Sequence, residues 1–285
     1  MLTLSNLAIQ FGKRILYQDG NRKFTNGNSY GISGANGAGK ATLLRAISGE
    51  LDPTKGSVEM GPGERLSVLS QDHFKYDQFT VLDTVLMGHT VMWDVMQRRN
   101  ELYSKADFSD EDGILVAELE DKFAQMGGYT AENDAATLLS GLGIKEALHG
   151  KLMGDLSGKE KVRVMLAQAL FGEPDNLLLD EPTNDIDINT PRALEEGLEA
   201  FAGCAVIISH DRFFLDRVAR RCIEINDGKA EFYSGGYSFY VTERQKRFEE
   251  KLRKYEKDQA KLEQLTRAAE PVPTQGQGHR PGQDA

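Results

Sequence analysis

Apolar side chains in the first fifty residues come in short clusters between polar and glycine-rich breaks. Leu2-Thr3-Leu4 and Leu7-Ala8-Ile9 read as strand, and Tyr30-Gly31-Ile32-Ser33 as a short strand running into a glycine-rich loop. From Thr42 to Ile47 apolar residues recur three and four apart, which is helical spacing. Strand, glycine-rich loop and helix in that order make an α/β unit. Between residues 83 and 140 glycine thins out. Val91, Trp93, Val95 and Met96 begin one helical pattern, and Leu115, Leu119, Phe123 and Met126 carry another. The polar break Ser109-Asp110-Glu111-Asp112-Gly113 separates them, with Ser109 or Asp110 placed to cap the second helix. This stretch is expected to be a helical insertion. The α/β pattern returns near residue 160, with a helix over Val162–Leu170 and buried strands at Leu177–Leu179 and Ala205–Ile208. Such continuous apolar runs suit the centre of a parallel sheet.

After Tyr240 a charged helix with a loose apolar stripe at Phe248, Leu252, Tyr255 and Leu262 is expected to run to about Glu270. The proline-, glycine- and glutamine-rich residues 271–285 read as a disordered tail. There is no internal repeat and no second glycine-rich phosphate loop.

Composition changes this picture little. Of 285 residues, 40% are hydrophobic and 27% charged, which is ordinary for globular proteins and excludes a fibrous or wholly disordered chain. No apolar run approaches a membrane span, no secretion signal opens the chain, and Cys204 and Cys222 make no disulfide framework. The expectation is a soluble cytoplasmic protein with a buried Cys204. Charge matters more. The formal net charge of −10 makes a general nucleic-acid binder a poor expectation. Residues 83–140 hold 4 basic and 12 acidic side chains, whereas 241–270 hold 9 basic and 7 acidic. Any polyanion contact must therefore be local, and Gln97-Arg98-Arg99 is the candidate within the insertion.

The chemistry begins at Gly34-Ala35-Asn36-Gly37-Ala38-Gly39-Lys40, which matches GxxxxGK between a strand and a helix. Glycines let backbone N–H groups turn inward around phosphate oxygens, Lys40 adds a positive charge near the β- and γ-phosphates, and the following helix offers its positive end. The pattern next asks for a hydroxyl to ligate Mg²⁺, but the residue is Ala41, with Thr42 following. Asp180 and Glu181 close the buried strand Leu177–Leu179, at the kind of strand end where ligands gather in open α/β sheets. Asp180 is a candidate Mg²⁺ holder. Glu181 is a candidate to orient or deprotonate an attacking water.

Gly34–Lys40, Leu156-Ser157-Gly158, Leu177–Glu181 and Ser209-His210-Asp211 stand in the order and spacing of an ATP-binding cassette ATPase, and the chain resembles that family over about residues 1–240. Leu179-Asp180-Glu181-Pro182-Thr183-Asn184, Ile208–Leu215 and Tyr233-Ser234-Gly235-Gly236-Tyr237 make it most similar to the ABC-F group, soluble cassette proteins that act on ribosomes as translation factors. It resembles the first cassette of a short-armed bacterial member. The implied fold is an α/β P-loop NTPase cassette, with its core in 1–82 and 141–240 and a helical subdomain with a short arm in 83–140. A charged linker helix at 241–270 and the tail at 271–285 complete it. The implied ligands are ATP and Mg²⁺.

By the same resemblance Phe11 stacks on adenine, Gln71 touches the metal and senses the γ-phosphate, and Ser157 and Gly158 open the signature loop that closes over ATP bound to another cassette. Asp187 meets that partner cassette, and His210 hydrogen-bonds the γ-phosphate. The implied partners are a second cassette, in trans or as a homodimer, and the ribosome, through rRNA or a ribosomal protein beside the exit tRNA site; a membrane is not among them. The sequence departs from the family at Ala41, at Lys159 in place of a second signature glycine, at Asp185 and at Gly20. Two alternatives stay open: a cassette that holds nucleotide without turnover, and the ATP-binding subunit of a transporter.

Overall fold

The computed structural model describes residues 1–69, 74–183 and 190–269. Gln71, Asn184, Asp185, Asp187 and the tail at 271–285 lie outside the described residues. Contacts divide the chain into two compact units, Met1–Tyr240 and a second beginning at Val241.

Among the described residues of the first unit, nine strands form two sheets. β1 (Leu2–Phe11), β2 (Arg14–Phe24) and β4 (Lys55–Glu59) make a three-stranded antiparallel sheet in the order β2-β1-β4. The two clusters expected at 2–4 and 7–9 are one strand with a kink. Asn6 sits at φ 50°, the register shifts between Leu4 and Leu7, and Asn6 and Asn21 pair through their amides. β2 continues through Gly20, which stands opposite Leu7.

β3 (Asn28–Gly34), β5 (Leu66–Leu69), β6 (Asn176–Asp180), β7 (Cys204–Ile208), β8 (Arg221–Asn226) and β9 (Lys229–Tyr233) make a six-stranded sheet in the order β5-β6-β7-β3-β8-β9. All its pairings are parallel except β8 with β9. β6 and β7 are apolar throughout because both faces are covered. Leu177, Leu179, Ala205 and Ile207 enter one core, and Leu178, Val206 and Ile208 enter the other. Helix α1 (Lys40–Ile47) buries Leu43, Leu44, Ala46 and Ile47 in the second core, between the two sheets.

The insertion comprises α2 (Val81–Leu86), α3 (Thr90–Tyr103), α4 (Asp110–Gln125) and α5 (Ala131–Gly141). Its expected limits, 83 and 140, fall inside α2 and α5, since the Thr80 hydroxyl caps α2 by accepting from the Asp83 N–H. Ser109 caps α4 in a capping box with Asp112. α3 and α4 close on Leu102, Val116 and Leu119. Arg99 is drawn into this pairing: its guanidinium lies 4.0 Å from the Phe123 ring centroid and 3.5 Å from Glu120, which also accepts from the Tyr103 and Tyr129 hydroxyls. Arg99 is therefore a packing residue of the α3–α4 pair rather than an open cation.

α6 (Gly158–Leu170) starts four residues before the expected helix, because Ser157 caps it in a capping box with Glu160. α7 (Thr190–Ala200) and α8 (Arg212–Val218) follow the strands β6 and β7. α9 (Tyr237–Ala269) begins three residues before the expected boundary at 240. Among the described residues no helix is long and apolar enough to cross a membrane.

Candidate functional site

The site is assembled by register. β6, β7 and β3 are parallel neighbours, with Asp180 opposite Ile208 and Ile208 opposite Ile32. Their carboxyl ends therefore open side by side, releasing the loop from Gly34, the pair Asp180–Glu181, and Ser209–His210 at one edge of the sheet. They line a cleft of about 410 Å³ that contains Asn36, Gly37, Gly39, Lys40, Ala41 and Thr42 on one side. Asp180, Glu181 and His210 lie on the other.

The loop fits a phosphate chain. Gly34, Gly37 and Gly39 have φ of 153°, 76° and 99°, values an L side chain rarely adopts. A Cβ on Gly34 would lie 2.5 Å from the Ile225 carbonyl oxygen. Gly39 precedes α1 in the left-handed region and supplies no side-chain cap, which leaves the first turn of α1 without a side-chain acceptor at the residue before it. Lys40 Nζ donates to the carbonyls of Gly34 (2.9 Å) and Ala35 (3.2 Å), which fixes the ammonium beside the loop. Ala38 donates its N–H to Ala35 and packs its side chain on the core. Arg14, which sequence reasoning missed, donates to the Gly37 carbonyl at 2.9 Å and lines the cleft.

Gly34→Ala is expected to destabilise the fold by about 2–3 kcal/mol, through the carbonyl clash and the lost backbone conformation. Gly158→Ala, whose added Cβ meets nothing within 4 Å, is expected to stay within about 0.5 kcal/mol of the parent. Chemical denaturation of the two variants checks the contrast, and equal effects would contradict it.

Opposite the loop, Glu181 has φ 50°, an unusual conformation for a non-glycine residue. Its N–H is held by the Ile208 carbonyl at 2.9 Å. The largely buried carboxylate accepts from the His210 N–H at 3.1 Å and lies 3.4 Å from His210 Nε2. The His210 ring itself is exposed. Below it, Ser209 and Thr183 pair through their hydroxyls at 3.1 Å, and Asp211 caps α8.

Burial, and secondarily the Glu181 charge, push the Asp180 carboxyl above its usual range, against the pull of Lys40 and His210. Its folded pKa is thus raised over the unfolded one. At neutral pH its charge opposes folding, and that cost disappears as the pH falls through the raised value. A cation at Asp180 must displace the proton. The Mg²⁺-dependent part of ATP affinity is therefore expected to decline on acidification at a higher pH than an ordinary aspartate would require. Calorimetric titration measures this, and Asp180→Asn should remove the dependence; a flat wild-type profile would refute the assignment.

The metal side has fewer oxygens than the motif asks for. Ala41 contributes none, and no cluster of three His, Cys, Asp or Glu side chains occurs among the described residues. Asp180 and the Thr42 hydroxyl remain in the cleft. Ala41 also borders a second hollow of about 210 Å³, so a serine hydroxyl has room. Ala41→Ser is expected to tighten Mg²⁺-dependent ATP binding by about 5-fold, read by titrating Mg²⁺ at fixed ATP. An unchanged Mg²⁺ dependence would contradict it.

Phe11 is 53% exposed at the end of β1, not a core phenylalanine, and does not line the cleft. Ser157, Gly158 and Lys159 are also exposed and outside it. The helix behind them is anchored. Buried Lys161 reaches Asp77 at 2.5 Å and lies 5.0 Å from the Phe74 ring centroid, tying α6 to the chain just after residues 70–73. That strut, too, escaped the sequence reasoning.

The family model described as ABC transporter matches residues 17–184, and a second, also described as ABC transporter, matches residues 223–276. The chain belongs to the ATP-binding cassette family. It is 52% identical over 240 residues to the "Uncharacterized ABC transporter ATP-binding protein YkpA" of Bacillus subtilis (strain 168), covering 84% of this chain and 44% of that protein. It is 36% identical over 241 residues to the "Energy-dependent translational throttle protein EttA" of Escherichia coli (strain K12), covering 84% and 38%. The cassette thus spans less than half the length of these relatives, which are consistent with the ABC-F resemblance. Among solved structures it is similar to an ATP-binding subunit of an ABC transporter, with TM-score 0.63, 17% identity and coverage of 82% and 90%. It also resembles a dimeric bacterial ABC transporter cassette, with TM-score 0.59, 20% identity and coverage of 82% and 98%. These two likenesses establish the fold. The protein is an ABC ATP-binding protein, of a family that binds ATP, generally with Mg²⁺.

Proposed function

We propose that this cassette binds Mg²⁺-ATP in the Lys40 cleft, hydrolyses it when a second cassette closes the site, and couples that cycle to ribosome binding and regulation of translation. The observation that carries the nucleotide reading is the convergence of Lys40, Asp180, Glu181 and His210 on one cleft.

In this reading the loop N–H groups and Lys40 hold the β- and γ-phosphates. Asp180 would hold Mg²⁺, which would neutralise phosphate charge, and Ala41 adds no oxygen to that site. Glu181 orients the attacking water and accepts its proton. His210 contacts the γ-phosphate from the opposite wall, and Phe11 offers its exposed ring to the adenine. Ser157 and Gly158 stand outside this cleft, so their part is to cover nucleotide held by another cassette. This cassette then supplies two half-sites, and each is closed by a second cassette.

The translational part rests on the ABC-F motifs and on similarity to the throttle protein EttA. Its test is co-sedimentation of Glu181→Gln with ribosomes. ATP-dependent pelleting is expected, and none in saturating ATP would count against a ribosomal role. A second reading, nucleotide held without turnover, is favoured by Ala41 and by Lys159 in the signature loop. Measurable hydrolysis by the native chain that Glu181→Gln abolishes would dispose of it.

A further inference from the structure

Arg14 is a cation of the cleft that no motif accounts for. It opens β2, directly across the hairpin from Phe11, the last residue of β1. Cross-strand partners carry their side chains on the same face of a sheet, so Phe11 and Arg14 leave the hairpin on one side. Between them Gly12 turns at φ 57°, and its carbonyl accepts from Gln10 Nε2 at 2.6 Å. From this end of β2, Arg14 Nη2 donates to the Gly37 carbonyl at 2.9 Å, and a Cβ on Gly37 would lie 3.7 Å from the same nitrogen. The guanidinium therefore rests against the tip of the phosphate loop and lines the cleft that also holds Lys40.

That bond uses one of several N–H donors on the guanidinium. Among the described residues no carboxylate pairs with Arg14. Glu181, which lines the same cleft, is engaged with His210 instead. A guanidinium anchored beside a phosphate loop, with donors left over and no counter-ion, presents a planar fork that matches phosphate oxygens.

We infer that Arg14 is a second phosphate-holding cation of this cleft beside Lys40, and that its charge lets the site hold the phosphate chain of a nucleoside triphosphate with less dependence on Mg²⁺. This role rests on the nucleotide reading of the cleft and deepens it. Ala41 leaves the metal side one oxygen short, so fewer protein oxygens would hold an ion there. Phosphate charge that an ion does not neutralise falls to the protein's own cations. A phosphate chain coming from a base at Phe11 meets Arg14 on its way to the loop around Lys40, since Arg14 is paired with Phe11 and bonded to Gly37.

The test is calorimetric titration of the full chain with ATP, in saturating Mg²⁺ and again in excess EDTA. The native protein, Arg14→Gln and Lys40→Ala are compared. Arg14→Gln keeps an amide N–H and loses the charge, and the position is exposed, so folding is expected to match the parent. The expected loss of affinity in Arg14→Gln is about 10-fold in EDTA and about 3-fold in Mg²⁺, because the ion and the guanidinium neutralise the same phosphate charge. A residue that only shaped the loop would cost the same factor in both.

Equal losses in the two conditions, or native affinity in Arg14→Gln, overturn the inference. So does binding by the native chain that vanishes in EDTA. Lys40→Ala separates this role from the site itself. Affinity lost in Lys40→Ala but kept in Arg14→Gln removes only the role of Arg14, whereas native affinity in both variants removes the nucleotide from the cleft altogether.

Discussion

Glu181→Gln is expected to lower ATP turnover by about 10²–10⁴-fold while leaving ATP affinity nearly unchanged. The substitution keeps the shape of the side chain. Its amide oxygen still accepts the His210 N–H that Glu181 accepts at 3.1 Å. What disappears is the basic oxygen that takes a proton from water. The backbone of Glu181 is held at φ 50° by its N–H bond to Ile208, so this carboxylate is placed by the β6–β7 pairing and not by its own rotamer preference. Steady-state hydrolysis alongside an equilibrium ATP titration separates the two quantities. Equal turnover in the variant would move the proton acceptor elsewhere, and an equal loss of affinity would make Glu181 a binding residue.

Lys40→Ala is expected to weaken ATP binding by about 10- to 100-fold, the worth of a charge-assisted contact to phosphate. The ammonium is already bound to the Gly34 and Ala35 carbonyls, so it is pre-positioned and little side-chain freedom remains to be lost on binding. Lys40→Arg is not expected to rescue it, because a planar guanidinium does not replace a compact ammonium inside so tight a loop. The folding of both variants should match the parent, since the aliphatic stem lies at a cleft wall. Unchanged ATP affinity in Lys40→Ala, measured by calorimetry, would place the nucleotide elsewhere.

The parts of the site that could be read from the sequence are those written in consecutive residues. Gly34 to Lys40 declares a phosphate loop because its glycines, lysine, preceding strand and following helix all lie within a few residues. Asp180 and Glu181 are legible because Leu177–Leu179 is apolar on both faces, which only a central strand requires. The supporting contacts are not written that way. Arg14 reaches Gly37 across 23 residues, and Lys161 reaches Asp77 across 84. No periodicity links such pairs, since folding alone brings them together.

Arg99 shows the converse. Beside Arg98 it looks like part of an open basic cluster, but stacking on Phe123 and pairing with Glu120 turn it into a brace between α3 and α4. β2 also escaped direct reading, because its polar run hides Tyr17 and Phe24, both fully buried. Arg22 meanwhile covers Phe232 at 4.3 Å from the ring centroid.

The central claim is that turnover needs the phosphate loop of one cassette and the signature loop of another. Complementation tests it most directly. Lys40→Ala keeps an intact signature loop, and Gly158→Arg, placed where an added side chain meets open space, keeps an intact phosphate loop. Each alone is expected to be inactive. An equimolar mixture is expected to recover about one quarter of the native rate, since half of the random pairs are mixed and each mixed pair has one complete site of two. A mixture as inactive as its components, or full turnover by Gly158→Arg alone, would contradict the composite site.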